Sequence, residues 1–216
     1  MNMESIAHQF LPAIIFLTAI FFHTTKKNID IAMAYGVQSL AVVLILFSAS
    51  FATHSLPSLF IALLVFAIKV IAAPRFFVAL IKKHGLRFSA TTYLNFPLTL
   101  IIIAILTALA HSKIFLPLTT LTSDTEALSL ALAVIFSSLF LMINRKGALS
   151  QMIGVLSLEN GIVTFALFSG LEQSATLQTG ILFDIAIWIV IATVFASMIY
   201  EHFGSLNVTI MRNLKE

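Results

Sequence analysis

The chain has 216 residues, of which 60% are hydrophobic and only 10% are charged. Soluble domains carry about 25% charged residues, and no interior of this size could hide so much apolar surface from water. The composition therefore excludes a soluble protein and indicates that most of the chain lies in lipid. The sequence contains no cysteine, which excludes disulfides, thiolate nucleophiles and protein-ligated iron–sulfur clusters.

Seven apolar runs follow one another along the chain. A bilayer core of about 30 Å requires about 20 apolar residues per helix, and short polar segments separate the runs. In chain order the predicted spans are 6–22, 31–51, 59–81, 93–111, 127–143, 149–169 and 177–200. We therefore expect an all-α polytopic membrane protein with seven transmembrane helices and, because residues 1–4 lack a basic stretch, no cleavable signal peptide.

The basic residues divide unevenly between the two sides of such a bundle. With the N-terminus outside, nine Lys and Arg residues lie on the inner side and Lys113 alone lies in the outer loops. Short loops rich in Lys and Arg remain in the cytoplasm, so this count predicts an external N-terminus and a cytoplasmic C-terminus. The nine are Lys26, Lys27, Lys82, Lys83, Arg87, Arg145, Lys146, Arg212 and Lys215.

An internal repeat accompanies this alternation. Residues 27–41 resemble residues 145–159: each stretch starts with a basic turn and continues into a helix carrying Gly-Val-x-Ser-Leu. A single connector helix between two three-helix units gives both units the same orientation, so the repeat is parallel. The predicted units are residues 1–92 and 123–216, joined by the connector and outer loop at 93–122.

Three ionisable residues fall inside the predicted spans. Lys69 lies midway along the third span, Glu159 midway along the sixth, and Asp184 a third of the way into the seventh. Each charge at the bilayer centre costs at least about 2.5–3.5 kcal/mol. One interpretation is a buried ion pair of Lys69 with Glu159 or Asp184. The interpretation that we favour is a proton or cation relay formed by Glu159, Asp184 and Lys69, because low dielectric disfavours both charged forms and makes proton exchange possible.

Two neighbouring residues favour a wetted path beside these charges. Pro74 lies five residues after Lys69 and cannot donate to the carbonyl of Val70, which predicts a free polar backbone group and a kink near the lysine. Asn160 follows Glu159 and points to a different face of the helix, where it could hold a water molecule.

Small residues indicate close helix packing. Gly36, Gly154 and Gly161 each follow a small residue by four positions, the small-xxx-small spacing of helix contacts. These contacts can lie within the chain or form a surface for partner subunits. No two histidines have the i, i+4 spacing of a metal pair, and no nucleotide or nucleophile motif occurs. We therefore expect no catalytic residue, no metal, no cofactor and no nucleic acid.

The second unit resembles a known family. Its Arg145-Lys146 pair, MIGVLSLEN at 152–160, acid-bearing last helix and LNV at 206–208 resemble the three-helix K subunit of respiratory complex I and the C subunit of Mrp-type antiporters. With its seven spans and LENG at 158–161, the whole chain resembles membrane component E of hydrogenase-4-type complexes. The resemblance implies a non-catalytic subunit of an oxidoreductase complex in the bacterial inner (plasma) membrane, next to antiporter-like subunits.

The chain departs from the K-subunit pattern at the key acid. The K subunit has its glutamate two residues after the glycine, where this chain has Leu156 and, in the first unit, Gln38. Glu159 comes one helical turn later, and Asp184 is likewise about one turn from the last-helix acid. The relay role therefore passes to Glu159 and Asp184 by proximity, and Lys69 is similar to the buried lysines of antiporter-like subunits.

Three functions remain open from the sequence. The first is a subunit that contributes to proton or cation translocation in a complex-I-like or hydrogenase-4-type assembly. The second is a subunit of an antiporter-like or inorganic-carbon uptake complex, or a self-sufficient secondary transporter. The third is a structural adaptor in which the three charges only pair with one another.

Overall fold

The computed structural model describes residues 3–52, 54–83, 85–86, 91–120 and 124–169, with seven positions between 186 and 201. These residues are mainly helical and include no β-strand. The helices are α1 (Met3–Thr24), α2 (Asn28–Ala52), α3 (Leu56–Lys83), α4 (Phe96–Ala110), α5 (Leu116–Thr119), α6 (Thr125–Asn144) and α7 (Ala148–Phe168). The central part of α3, Phe66–Ala72, is a π-helix.

The helices are those of a membrane protein. Within the described residues, four of them (α2, α3, α6 and α7) are long and apolar enough to cross a bilayer, and α4 and Phe10–Thr24 of α1 are shorter apolar helices. The all-helical architecture is thus confirmed, and each of the first six predicted spans coincides with a helix. The seventh span, 177–200, lies largely outside the described residues, and its described positions are helical.

The fourth span begins later than its hydropathy predicts. The amide of Tyr93 donates to the carbonyl of Asn144 at 2.9 Å, so the chain before α4 is extended along the turn after α6. The Asn95 side chain then accepts from the amide of Leu98 at 3.1 Å and starts α4 at Phe96. Hydropathy could not predict this start, because the amides of Tyr93 and Leu94 are bound by Asn144, which is distant in sequence.

Arg145 joins the end of α6 to the end of α1. Its guanidinium Nη2 donates to the carbonyls of Phe22, His23 and Thr25 at 2.7, 3.2 and 2.6 Å. The last carbonyls of a helix have no partners within it and attract a cation. Burial lowers the pKa of Arg145, and these carbonyls replace its lost water. The sequence does not predict this role for Arg145, whose guanidinium caps the end of α1 in the structure.

Other polar contacts bring further helix ends to the same place. The Asn28 side chain at the start of α2 donates to the carbonyl of Leu86, after α3, at 2.9 Å. The amide of Leu94, before α4, donates to the Asn144 side chain at 3.0 Å. Therefore α1, α3 and α6 run towards this end of the bundle, and α2, α4 and α7 run away from it. We name it the basic end; its described cations are Lys26, Lys27, Lys82, Lys83, Arg145 and Lys146, whereas Lys113 lies at the opposite end.

Corresponding helices of the predicted repeat pack on each other. Helix α1 contacts α6, and α2 contacts α7. The members of each pair run in the same direction, which is the arrangement that a parallel repeat requires. The core is therefore formed between the two predicted units as well as within them.

The three predicted packing glycines lie at helix contacts. A Cβ atom on Gly154 would lie 2.7 Å from Cγ of Met142, and one on Gly161 would lie 3.0 Å from Cγ1 of Val134, both on α6. Gly36 instead faces α3. The glycines of α7 therefore allow the close approach of α6 within the second predicted unit.

Replacing Gly161 with alanine should destabilise the bundle by about 1–3 kcal/mol, because the new Cβ would be forced against α6. It would lie 3.2 Å from the backbone nitrogen of Ile135, which cannot move as a side chain can. Thermal unfolding in detergent micelles, followed by circular dichroism, measures the change. Ile162→Ala is the matched control, because the neighbouring Ile162 is 50% exposed; equal unfolding midpoints for the two variants would contradict the contact.

Arg145→Met should lower the free energy of unfolding by about 1.5–3 kcal/mol, the usual value of a hydrogen bond to a charged group. Methionine keeps much of the side-chain volume but leaves the α1 carbonyls unpaired. The control is Lys146→Met, since the Lys146 ammonium lies over the exposed Tyr93 ring, 4.7 Å from its centroid, and binds no helix end in the described part of the chain. In the same unfolding assay, Arg145→Met should have a much lower free energy of unfolding than Lys146→Met. The reverse order would refute the capping role.

Candidate functional site

Lys69 lies at the centre of the π-helical segment of α3. The amide of Ala73 donates to the carbonyl of Ile68, five residues back, as in a π-turn. Pro74 follows directly; it has no amide hydrogen, and in a regular α-helix its ring collides with the carbonyl four residues before it. The wider π-turn accommodates the proline, and such turns occur often at functional sites.

A glycine allows this part of α3 to approach α2. A Cβ atom on Gly36 would lie 3.2 Å from Cγ of Pro74, so the proline ring packs where a larger side chain would crowd it. Pro74 and Ala73 are both buried. The contact brings the π-helical segment against the inside of the bundle, and Lys69 is only 1% exposed.

The Lys69 side chain reaches α7 and contacts two consecutive residues there. Its Nζ lies 2.9 Å from Oε1 of Glu159 and donates to Oδ1 of Asn160, also at 2.9 Å. Consecutive helical residues point about 100° apart, so the ammonium lies between the two faces on which these side chains project. Glu159 and Asn160 thus share one cation.

Asn160 connects this pair to α2. Its Nδ2 donates to Oε1 of Gln38 at 3.2 Å and to Oγ of Ser39 at 3.1 Å. Gln38 in turn donates through Nε2 to the carbonyl of Ile15 on α1 at 3.1 Å. Gln38, Ser39 and Asn160 are all fully buried, and buried amides that are satisfied in this way rigidify a core.

The repeated serines take part in this network on both helices. Ser39 and Ser157 occupy the same position of the two Gly-Val-x-Ser-Leu copies. Ser39 accepts from Asn160 of α7, and Ser157 accepts from Nε2 of Gln38 on α2 at 3.0 Å. Ser157 also accepts from the Ser138 hydroxyl of α6 at 2.8 Å. Each repeated serine therefore binds an amide of the opposite helix, and the contacts form a polar layer inside the bundle.

The two charges of the pair differ in exposure. The side chain of Lys69 is 2% exposed, whereas that of Glu159 is 22% exposed. A carboxylate and an amine in direct contact can exchange a proton, and the more exposed partner is the one that outside groups can reach. The chemistry of this arrangement is that of an acid–base pair. Within the described residues, no group of three or more His, Cys, Asp or Glu side chains could hold a metal ion.

The site combines residues that the sequence predicted with others that it missed. Lys69 and Glu159 were both predicted and lie in contact; Asp184 lies outside the described residues. The sequence suggests that Asn160 could hold a water molecule, and in the structure its side chain also binds Lys69 directly. Gln38 was noted only because it is uncharged where the K subunit has an acid. The signal that could have identified Gln38 was a large amide side chain in an otherwise apolar span.

Comparisons with known proteins assign no family to this site. The chain matches no protein-family model, no curated protein and no solved structure. What the polar layer can do is therefore inferred from its own contacts.

Removing one member of the Lys69–Glu159 pair should destabilise the protein by about 3–5 kcal/mol, because an uncompensated charge remains buried. Lys69→Met and Glu159→Gln test this, and the double variant should regain most of the loss. The free energies of unfolding of the four proteins form a double-mutant cycle, which isolates the energy of the pair. Strict additivity of the two single changes would contradict a direct interaction.

Proposed function

We propose that this chain is a non-catalytic membrane subunit that contributes to proton or cation translocation in a complex-I-like or hydrogenase-4-type assembly. The observation that supports it best is the contact between Lys69 and Glu159, 2.9 Å apart in the interior of the bundle. Lys69 lies at the middle of α3 and Glu159 at the middle of α7. Ionisable residues at this depth in membrane proteins usually belong to ion or proton pathways.

The pair has the properties that proton transfer requires. Isolated burial of either charge is costly, but the two charges offset each other, and transfer of one proton from the ammonium to the carboxylate neutralises both. Proton transfer therefore converts an ion pair, in which the two charges offset each other, into a pair of neutral groups, and neither state leaves a single buried charge. The exposed fraction of Glu159 allows exchange with a further group, and Asp184 in the seventh span is the proposed next relay residue.

The proposed orientation follows the distribution of cations. The basic end of the bundle is placed in the cytoplasm, which puts the N-terminus outside and the C-terminus inside a bacterial inner membrane. The proposed architecture is seven transmembrane helices in two parallel three-helix units, 1–92 and 123–216, joined by a connector at 93–122. The common direction of α1 and α6, and of α2 and α7, supports this division.

The proposed partners are antiporter-like membrane subunits. One face of α2 presents apolar side chains away from the bundle: Met33, Val37, Leu40 and Leu44 are between 38% and 57% exposed. Such a face fits lipid or the helices of another subunit. The resemblance of residues 145–216 to the K and C subunits favours a place beside antiporter-like subunits.

Glu159→Gln should still assemble, although less stably, and should reduce coupled proton transfer per assembled complex by at least about tenfold, because glutamine keeps the shape but cannot carry the proton. The tagged chain is purified with its native partners from the host membrane and reconstituted into liposomes. A pH-sensitive dye inside the liposomes then measures proton movement. Glu126→Gln is the matched control: it makes the same chemical change at an exposed position at the start of α6.

Unaltered proton transfer in the Glu159→Gln complex would refute the proposal. Activity that survives joint replacement of Lys69, Glu159 and Asp184 by apolar residues would instead support the structural adaptor. Ion flux by the purified chain alone in liposomes would contradict a role as a subunit and favour a self-sufficient transporter.

A further inference from the structure

The Asn160 side chain uses its two polar edges for different purposes. Its carbonyl oxygen accepts from the Lys69 ammonium, and its amide nitrogen donates to Gln38 and Ser39 on α2. One edge therefore faces the charge pair, whereas the other is anchored to a neighbouring helix. We propose that Asn160 is a positioning residue that holds Lys69 against Glu159 and takes no part in proton transfer itself. This inference rests on the proposed function of the pair.

The orientation of Asn160 is determined by a backbone group on α1. The carbonyl of Ile15 can only accept, so the amide nitrogen of Gln38 faces it and the oxygen of Gln38 faces Asn160. That oxygen also can only accept, so Asn160 presents Nδ2 to Gln38 and Oδ1 to Lys69. A reversed Asn160 would place its NH₂ group against the ammonium and its oxygen against the Gln38 oxygen. The hydrogen bonds from Ile15 on α1 through Gln38 and Asn160 therefore all run in one donor–acceptor direction, which leaves an acceptor oxygen facing Lys69.

This polarity suits both states of the transfer. A carbonyl oxygen accepts from Lys69 whether the lysine carries an ammonium or a neutral amine, because both forms have N–H donors. An amide is not a base near neutral pH, so Asn160 does not take up the proton. Asn160 therefore fixes where the lysine lies and leaves its charge free to change. Without this acceptor, the flexible Lys69 side chain is held at one point only.

Two substitutions separate the two edges of Asn160. Asn160→Asp keeps an acceptor oxygen for Lys69 and loses the donors to Gln38 and Ser39. Asn160→Leu loses both edges at similar size. If Asn160 positions Lys69, the aspartate variant retains the Lys69–Glu159 contact and the leucine variant loses it. If Asn160 only joins α2 to α7, the two variants are equally impaired, because both lack the donors.

The contact is measured on the full chain in liposomes by solid-state NMR, through the dipolar coupling between ¹⁵N-labelled Lys69 Nζ and the ¹³C-labelled Glu159 carboxyl. We expect the coupling to persist in Asn160→Asp and to disappear in Asn160→Leu. In the reconstituted complex, proton transfer should fall by about tenfold or more in Asn160→Leu, in line with the loss of one charge-assisted hydrogen bond. The pH profile of transfer should change in both variants, because Asn160→Asp adds a titratable carboxyl group beside the pair.

The matched control is Thr164→Val, one turn further along α7. Thr164 is fully buried and its hydroxyl donates to the backbone carbonyl of Asn160 at 2.7 Å, its one side-chain hydrogen bond to a described residue, so the coupling and the transfer rate should stay at wild-type values. A wild-type coupling in Asn160→Leu would overturn the proposal, as would its equal loss in Asn160→Asp and Asn160→Leu. Because the NMR measurement needs no transport, it can fail or succeed independently of the Glu159→Gln test of the proposed function.

Discussion

The compensation of the Lys69 charge by Glu159 inside the helical bundle is the constraint on which the rest of this structure depends. A single charge at this depth is costly, so the bundle must deliver an opposite charge and hydrogen-bond acceptors to the same point. It does so with helices that are distant in sequence. The ion pair and the Lys69–Asn160 bond, both 2.9 Å long, are the result. Glu159 and Asn160 share one cation because Lys69 lies between their two faces of α7.

Much of the surrounding packing brings Lys69 on α3 into contact with α7. Pro74 requires a wider turn in α3, Gly36 makes room for the proline ring, and together they bring Lys69 inside the bundle. The polar layer then connects α3, α7, α2 and α1 through amide groups whose direction is fixed by a backbone carbonyl. Satisfied polar networks of this kind specify one arrangement of a core that apolar contacts alone would leave adjustable. The Lys69–Glu159 pair is therefore held by hydrogen bonds that connect α3 and α7 to α2 and α1.

At the basic end of the bundle, Arg145 both contributes to the charge pattern that predicts orientation and caps the end of α1. Positive charge near a helix end sets orientation during insertion, and the sequence count used Arg145 in this sense alone. In the folded protein the same guanidinium is buried and binds the carbonyls at the end of α1. The extended segment before α4 pairs with the adjacent turn. The basic end, which bears most of the described cations, is thus also the end where hydrogen bonds join the termini of α1, α2, α3, α4 and α6.

The sequence by itself determined the membrane class, the first six helices and the mid-helix positions of Lys69 and Glu159, because hydrophobic length and the cost of a buried charge are local properties that can be counted along the chain. The repeat also indicated which helices should correspond, and α1–α6 and α2–α7 do pack in the same direction. Only the tertiary structure decided that Lys69 meets Glu159, that Asn160 and Gln38 hold this pair, and that Arg145 caps α1. Each of these contacts joins residues at least 90 positions apart, and their distances depend on how whole helices rotate and approach one another, which no local pattern specifies.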